Sequence, residues 1–101
     1  MKGTCGVASG VCYIMTNRPR GVLYVGVTMD IARRAYEHRM GLVEGFTTRY
    51  GLTRLVHCEE YPLFMDAVRR EKSLKKWLRA WKIDLVEKDN PGWDDLYDHL
   101  L

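Results

Sequence analysis

The sequence predicts an α/β fold: an α+β sandwich with a three-stranded antiparallel sheet flanked by helices, ordered ββαβα with a C-terminal tail helix. Three observations predict it. Three short runs are rich in β-branched and aromatic residues. The first two are separated only by a polar turn, as a hairpin requires. Two longer segments carry apolar residues at helical spacing behind start signals. At 101 residues and 47% hydrophobic content, the chain suits a single packed domain. Residues 1–10 read as an N-terminal extension and 11–101 as the domain.

Val11-Cys12-Tyr13-Ile14-Met15-Thr16 reads as the first strand, Asn17-Arg18-Pro19-Arg20-Gly21 as a turn, and 22–27 as the second strand. A four-residue loop sets Tyr13 opposite Tyr24 on one face; one residue more puts them on opposite faces. Gly26 in mid-strand implies close approach by another backbone or a ligand. Asp30 can cap a helix from Ile31 to about Met40. Gly41, Gly45 and Gly51 punctuate a loop containing Phe46-Thr47-Thr48-Arg49-Tyr50. Residues 55–61 read as the third strand. Pro62 suits the first position of a long helix over roughly 63–81. Asn90-Pro91-Gly92 breaks the chain before a short helix over 93–101.

The net charge of +3 conceals an asymmetry. Residues 69–82 hold seven bases and one acid, a net +6, whereas 83–101 hold six acids and one base, a net −5. Such a basic segment serves a polyanion, or forms a solvated face that pairs with the tail. No apolar run reaches the roughly 20 residues of a membrane span, and no secretory signal is read at the N-terminus. Cys5, Cys12 and Cys58 have neither disulfide-framework nor zinc-site spacing. They are expected to be thiols in a reducing cytoplasm.

Two helical residues sit against type. On the expected 63–81 helix, Phe64, Ala67, Leu74, Leu78 and Trp81 share one stripe, and Glu71 lies inside it. A carboxylate there is costly unless it is paired or binds a metal. Lys75, at i+4, is the available partner; a divalent cation at a cleft rim is the other reading. On the first helix His38 lies within the stripe of Ile31, Ala35 and Leu42, one turn from Arg34. A core role for this histidine is the plainer reading.

Val11-Cys12-Tyr13 followed by Tyr24-Val25-Gly26 resembles the paired signature of the GIY-YIG nuclease superfamily. Arg34 lies ten residues beyond Tyr24, and Glu71 on a later helix, where that family has its arginine and metal-binding glutamate. With Arg33-Arg34, Glu37-His38, Val43-Glu44-Gly45-Phe46-Thr47 and Glu71 to Trp77, the set is similar to the short, stand-alone bacterial GIY-YIG domain proteins, over residues 11–98. The resemblance implies phosphodiester hydrolysis with one Mg²⁺ or Mn²⁺ ion. It implies that Tyr13 orients or deprotonates the attacking water and that Tyr24 holds the water or the scissile phosphate. Arg34 then stabilises charge on the phosphoryl oxygens, Glu71 holds the metal, and His38 lies near the nucleophile. These types suit the chemistry: a guanidinium fork matches phosphate, and a metal neutralises a leaving oxygen. A tyrosine of ordinary pKa, about 10, is a poor base, so Arg34 or the metal must lower it.

Val11 replaces the family's first glycine, and Val27 stands where several members have lysine. Without an added recognition domain, weak sequence selectivity is expected, for a branched, flapped or single-stranded structure, with a role in DNA repair or recombination. Nucleic acid, DNA rather than RNA, is the expected partner. Arg33, Arg69, Arg70, Lys72, Lys75, Lys76, Arg79 and Lys82 supply phosphate contacts, while Trp77 and Trp81 are expected in the core. A homodimer is left open. The competing readings are a nucleic-acid-binding module with little catalysis, and a protein-interaction module in which the acidic tail masks the basic helix.

Overall fold

A computed structural model describes residues 9–42, 45 and 49–100. Residues 1–8 of the N-terminal extension, with Cys5, lie outside it, as do Val43, Glu44 and Phe46-Thr47-Thr48 of the family-like stretch. The elements are β1 (Gly10–Thr16), β2 (Leu23–Thr28), α1 (Ile31–Arg39), β3 (Arg54–Tyr61), α2 (Phe64–Lys76), α3 (Arg79–Asp89) and a closing 3-10 helix, Leu96–Leu100. The sheet is three-stranded and antiparallel in the order β2-β1-β3, as expected.

The first strand is therefore central and buried along its whole length. Alternation divides its side chains between two cores. Val11, Tyr13 and Met15 pack with Ile31, Ala35, Leu52 and Leu55 on the face covered by α1. Cys12, Ile14 and Val25 pack with Val56, Leu74, Val86 and Trp93 on the face covered by α2 and α3. A bulge between Ile14 and Met15 re-registers β3, so Ile14 faces His57 and Met15 faces Leu55.

The hairpin differs from both loop lengths considered from sequence. Tyr13 pairs with Gly26 and Tyr24 with Met15, which leaves a six-residue connection over 17–22. Two residues added to the four-residue loop preserve parity, so both tyrosines face α1, offset along the strands by two residues. Gly21 N donates to the Arg18 carbonyl and Val22 N to the Asn17 side chain, each at 2.9 Å. Arg20 takes a left-handed φ of 54°.

The single helix expected over 63–81 is two helices. Trp77 and Leu78 are extended, with ψ of 150° and 148°. The reason lies in packing. Leu74 and Val86 belong to one cluster; on a continuous helix these residues, twelve apart, would lie about 18 Å apart along the axis. The break folds α3 back onto the sheet. It leaves Leu78 61% and Trp81 53% exposed, so neither joins the core stripe expected of them. Trp77 is half-buried against that core, and Trp93 supplies the buried indole. Leu42 also leaves its expected stripe, because α1 ends at Arg39.

The tail is fastened rather than free. Glu87 accepts from Arg20 Nε and Nη2 at 2.8 and 2.9 Å, and from the Trp93 indole at 2.7 Å. Arg39 pairs with Asp95 at 2.6 Å, and Asn90 donates to the Val56 carbonyl at 3.1 Å. Glu87 and Asp95 thus engage the hairpin loop and α1 rather than the bases of α2.

Candidate active site

The α1 face of the hairpin carries a cluster of three rings. Tyr13 and Tyr24 have centroids 6.4 Å apart, and His38 of α1 lies 5.8 Å from the first and 5.9 Å from the second. Local sequence explains the convergence. Asp30 caps α1 by accepting from Arg33 N at 3.1 Å, and the helix periodicity then brings Ile31, Ala35 and His38 onto the sheet. Gly26 makes room. A Cβ there would lie 2.6 Å from Tyr13 Cζ and Oη and 2.9 Å from Tyr24 Cε2. The close approach expected at this glycine is made by a tyrosine side chain, not by a backbone or ligand.

Tyr13 Oη and His38 Nε2 are 3.2 Å apart and buried. His38 Nδ1, also buried, has no hydrogen-bond partner among the described residues. Burial, then the nearby Arg34 charge, lowers the His38 pKa to about 4, with Glu37 pulling the other way. Burial raises the Tyr13 pKa above its ordinary value, and Tyr24 adds to this; the nearby Arg34 guanidinium works against both. At neutral pH the pair is a phenol beside a neutral imidazole. The histidine that reads as a core residue is buried, at 3% exposure, yet it is bonded to Tyr13.

An acid-stability prediction follows. The unfolded imidazole takes its proton near 6.5 and the folded one only near 4. The unfolded state therefore binds more protons within that window, and stability falls as pH falls from 6.5 towards 4. The full effect is about 3 kcal/mol at 1.36 kcal/mol per pKa unit. Thermal melts against pH are expected to show this limb in the wild type and to lose it in His38→Phe.

Arg34 lies at the edge of the cluster. Its Nε and that of Arg33 both meet the Glu37 carboxylate at 3.3 Å. Glu37 thus holds two guanidinium groups on one helix turn. From sequence it was quoted only within the Glu37-His38 pair and given no role, although its i+3 and i+4 spacing signals the pairing. Beside them a groove of about 440 Å³ is lined by Val27, Thr28, Met29, Asp30, Arg33, Arg34, Glu37 and Phe64. It runs past the end of β2, from α1 to the first turn of α2. The three rings lie outside this lining.

Glu71 comes from the other side. Its helix packs on the opposite face of the sheet, its side chain is 13% exposed, and Lys75 Nζ lies 2.6 Å from its carboxylate. The structure brings Tyr13, Tyr24 and His38 into one cluster, with Arg34 one turn before His38; Glu71 comes from the helix on the other face of the sheet and is paired with Lys75. Among the described residues no three His, Cys, Asp or Glu side chains form a metal site. A single carboxylate nevertheless fits Mg²⁺, which keeps several waters and takes one or two protein carboxylates with substrate phosphate.

The basic residues divide. Arg33 is open at 77% side-chain exposure. Arg69 pairs with Asp66 at 2.6 Å. Arg70 is held by Glu59 at 2.7 and 3.1 Å and lies over Trp77 at 5.0 Å. Arg79 donates to the Arg20 carbonyl. Lys75 is on Glu71, whereas Lys72, Lys76 and Lys82 have no carboxylate within bridging distance among the described residues. Glu59 was invisible from sequence. Burial alone would raise its pKa, but hydrogen bonds from His57 and Arg70 outweigh burial and bring it down to about 2.

Sandwich, paired tyrosines and helix-borne arginine together define a GIY-YIG nuclease-type domain. The profile of the GIY-YIG catalytic domain matches residues 9–84, and the chain belongs to that family. It is 36% identical over 70 residues to a UPF0213 protein of Syntrophus aciditrophicus, covering 68% of this chain and 79% of the relative. It is 36% identical over 62 residues to a UPF0213 protein of Halobacterium salinarum, covering 61% and 80%. The solution structure of a UPF0213 protein from Bacillus halodurans superposes with a TM-score of 0.53 at 29% identity, over 85% of this chain and 90% of that one. The family is one of nucleases, which act on nucleic acid and generally use a divalent metal. No helix among the described residues is long and apolar enough to cross a membrane.

Proposed function

We propose that this protein is a divalent-metal-dependent endonuclease that hydrolyses phosphodiester bonds in DNA, selecting structure rather than sequence or acting without selection, in the cytoplasm, with repair or recombination as its setting. The observation that carries the reading is the Tyr13–His38 contact beside Arg34. A buried phenol with a raised pKa is a weak base alone. Its neighbour, a neutral imidazole, can take the phenol's proton at Nε2 while Tyr13 Oη receives one from the attacking water. The tautomer this requires carries its own proton at Nδ1. Tyr24 confines the water or the scissile phosphate, and Arg34 meets the negative charge that grows on the phosphoryl oxygens. The leaving oxygen takes a proton from solvent to end as a hydroxyl, the phosphate ends as a monoester, and the proton held on His38 returns to solvent. Glu71 would hold Mg²⁺ or Mn²⁺, and the ion would supply Lewis acidity.

The test is cleavage of branched, single-stranded and duplex DNA with Mg²⁺ or Mn²⁺, with wild type beside Glu71→Ala and Tyr13→Phe. Loss in both variants is expected; cleavage that survives both overturns the assignment. The Lys75–Glu71 pair favours a second reading, a nucleic-acid-binding module in which the carboxylate is spent on the lysine. The two readings separate on Lys75→Gln. If Glu71 serves a metal, removing its competitor lowers the Mn²⁺ concentration needed for half-maximal cleavage. If the pair is only structural, the requirement stays where it was.

A further inference from the structure

We infer that Trp81 is a base-stacking platform at the end of a lysine track, so that the outer face of α2 and α3 holds one strand of nucleic acid at a distance from the Tyr13–His38 cluster. This rests on the nucleic-acid reading above and adds a second contact surface to it. The break at Trp77 and Leu78 is what turns Trp81 outward. Its ring is nevertheless fixed. Trp77 meets it edge-on, with centroids 6.1 Å apart and planes at 83°. Trp77 in turn lies under Arg70, which Glu59 clamps from β3. The indole is thus braced from the core while half of the residue faces solvent. A braced aromatic surface costs little ordering on binding.

The surroundings identify the occupant. Lys72 and Lys76 stand one turn apart on α2, about 5–6 Å, and Lys82 adjoins Trp81. None of the three has a carboxylate within bridging distance among the described residues. Asp84, the nearest acid on α3, bears on Arg20. A flat, exposed π surface next to a helix that carries Lys72 and Lys76, which have no carboxylate within bridging distance among the described residues, suits a ligand that is both planar and anionic, as a nucleotide strand is. A second copy of this chain suits it poorly, because docking the face on itself would bring Lys76, Arg79 and Lys82 against their own like charges.

The experiment is anisotropy of a labelled single-stranded oligodeoxynucleotide with the full chain in chelator, so that cleavage does not enter. Trp81→Ala is expected to weaken binding about tenfold and Trp81→Tyr to restore most of it. Lys76→Gln is expected to weaken binding less and to flatten its dependence on salt. Melting curves of each variant report the fold. Unchanged affinity in Trp81→Ala overturns the inference, as does a Tyr variant as weak as Ala. A wild-type dimer that Trp81→Ala dissolves while oligonucleotide affinity stands also overturns it, and makes the face a self-interface. A wild type that binds through Trp81 yet cleaves nothing supports the stacking platform and overturns the endonuclease reading.

Discussion

Arg34→Ala is expected to lower cleavage by about 10²–10³-fold, the range found when one preorganised donor to developing charge is removed. Its melting temperature should barely move, because Arg34 is partly exposed and its carboxylate partner, Glu37, keeps Arg33. Arg34→Lys should recover little, since an ammonium lacks the planar fork that grips two phosphate oxygens. A second signature accompanies the loss. The Arg34 charge lowers both the Tyr13 and the His38 pKa. Without it the His38 pKa rises, so residual activity should decay at a higher pH on the acid side. Rate against pH for wild type and variant checks this. Equal rates, or an unmoved acid limb, would remove Arg34 from the site.

Gly26→Ala should damage the fold and the candidate site together. The new Cβ would sit 2.6 Å from Tyr13 Cζ and Oη, where real Cβ atoms do not sit. Tyr13 has nowhere to go: it is 1% exposed and packed with Val11, Met15, Ile31, Ala35 and Leu55. Overpacking of this kind costs about 1–3 kcal/mol. In a domain this size that corresponds to a fall in melting temperature of about 4–20 °C. The displaced ring would also break its contact with His38, so activity should fall further than stability alone explains. Adding Tyr13→Leu to Gly26→Ala removes the two closest contacts, leaving that with Tyr24 Cε2 at 2.9 Å, and should recover part of the stability without activity. Thermal melts of the four species in a double-mutant cycle measure that coupling.

Strands and the α1 boundary were legible because each rests on local signals: β-branched runs, a turn, the Asp30 cap. The long second helix was misread because periodicity reports which residues could share a stripe, not whether a straight rod reaches the core that needs them. Leu78 and Trp81 fit the stripe and lie in solvent; Val86 and Trp93, beyond it, supply the core. Tyrosine register was undecided from sequence because it depends on a six-residue loop whose Arg20 adopts a conformation disfavoured for its side chain. For the candidate site, Tyr13, Tyr24, Arg34 and His38 were named through the family-like motifs they fall in, all within one contiguous stretch. Glu59 and its clamp on Arg70 were not, because that pairing joins β3 to α2 and leaves no periodic trace.

The single carboxylate of Glu87 reaches both sides of a seam. It holds Arg20 and Trp93, the only described non-glycine residues with positive φ, at 54° and 56°. Each such conformation costs about 1–2 kcal/mol and persists only while something over-determines it. Trp93 is held as well by the Asn90 carbonyl on its N–H at 3.0 Å, by Arg54 on its carbonyl at 2.8 Å and by the core around it, and Arg20 by Arg79 on its carbonyl. The carboxylate therefore ties together two turns that are each fixed from other directions, across the 72 residues that lie between them.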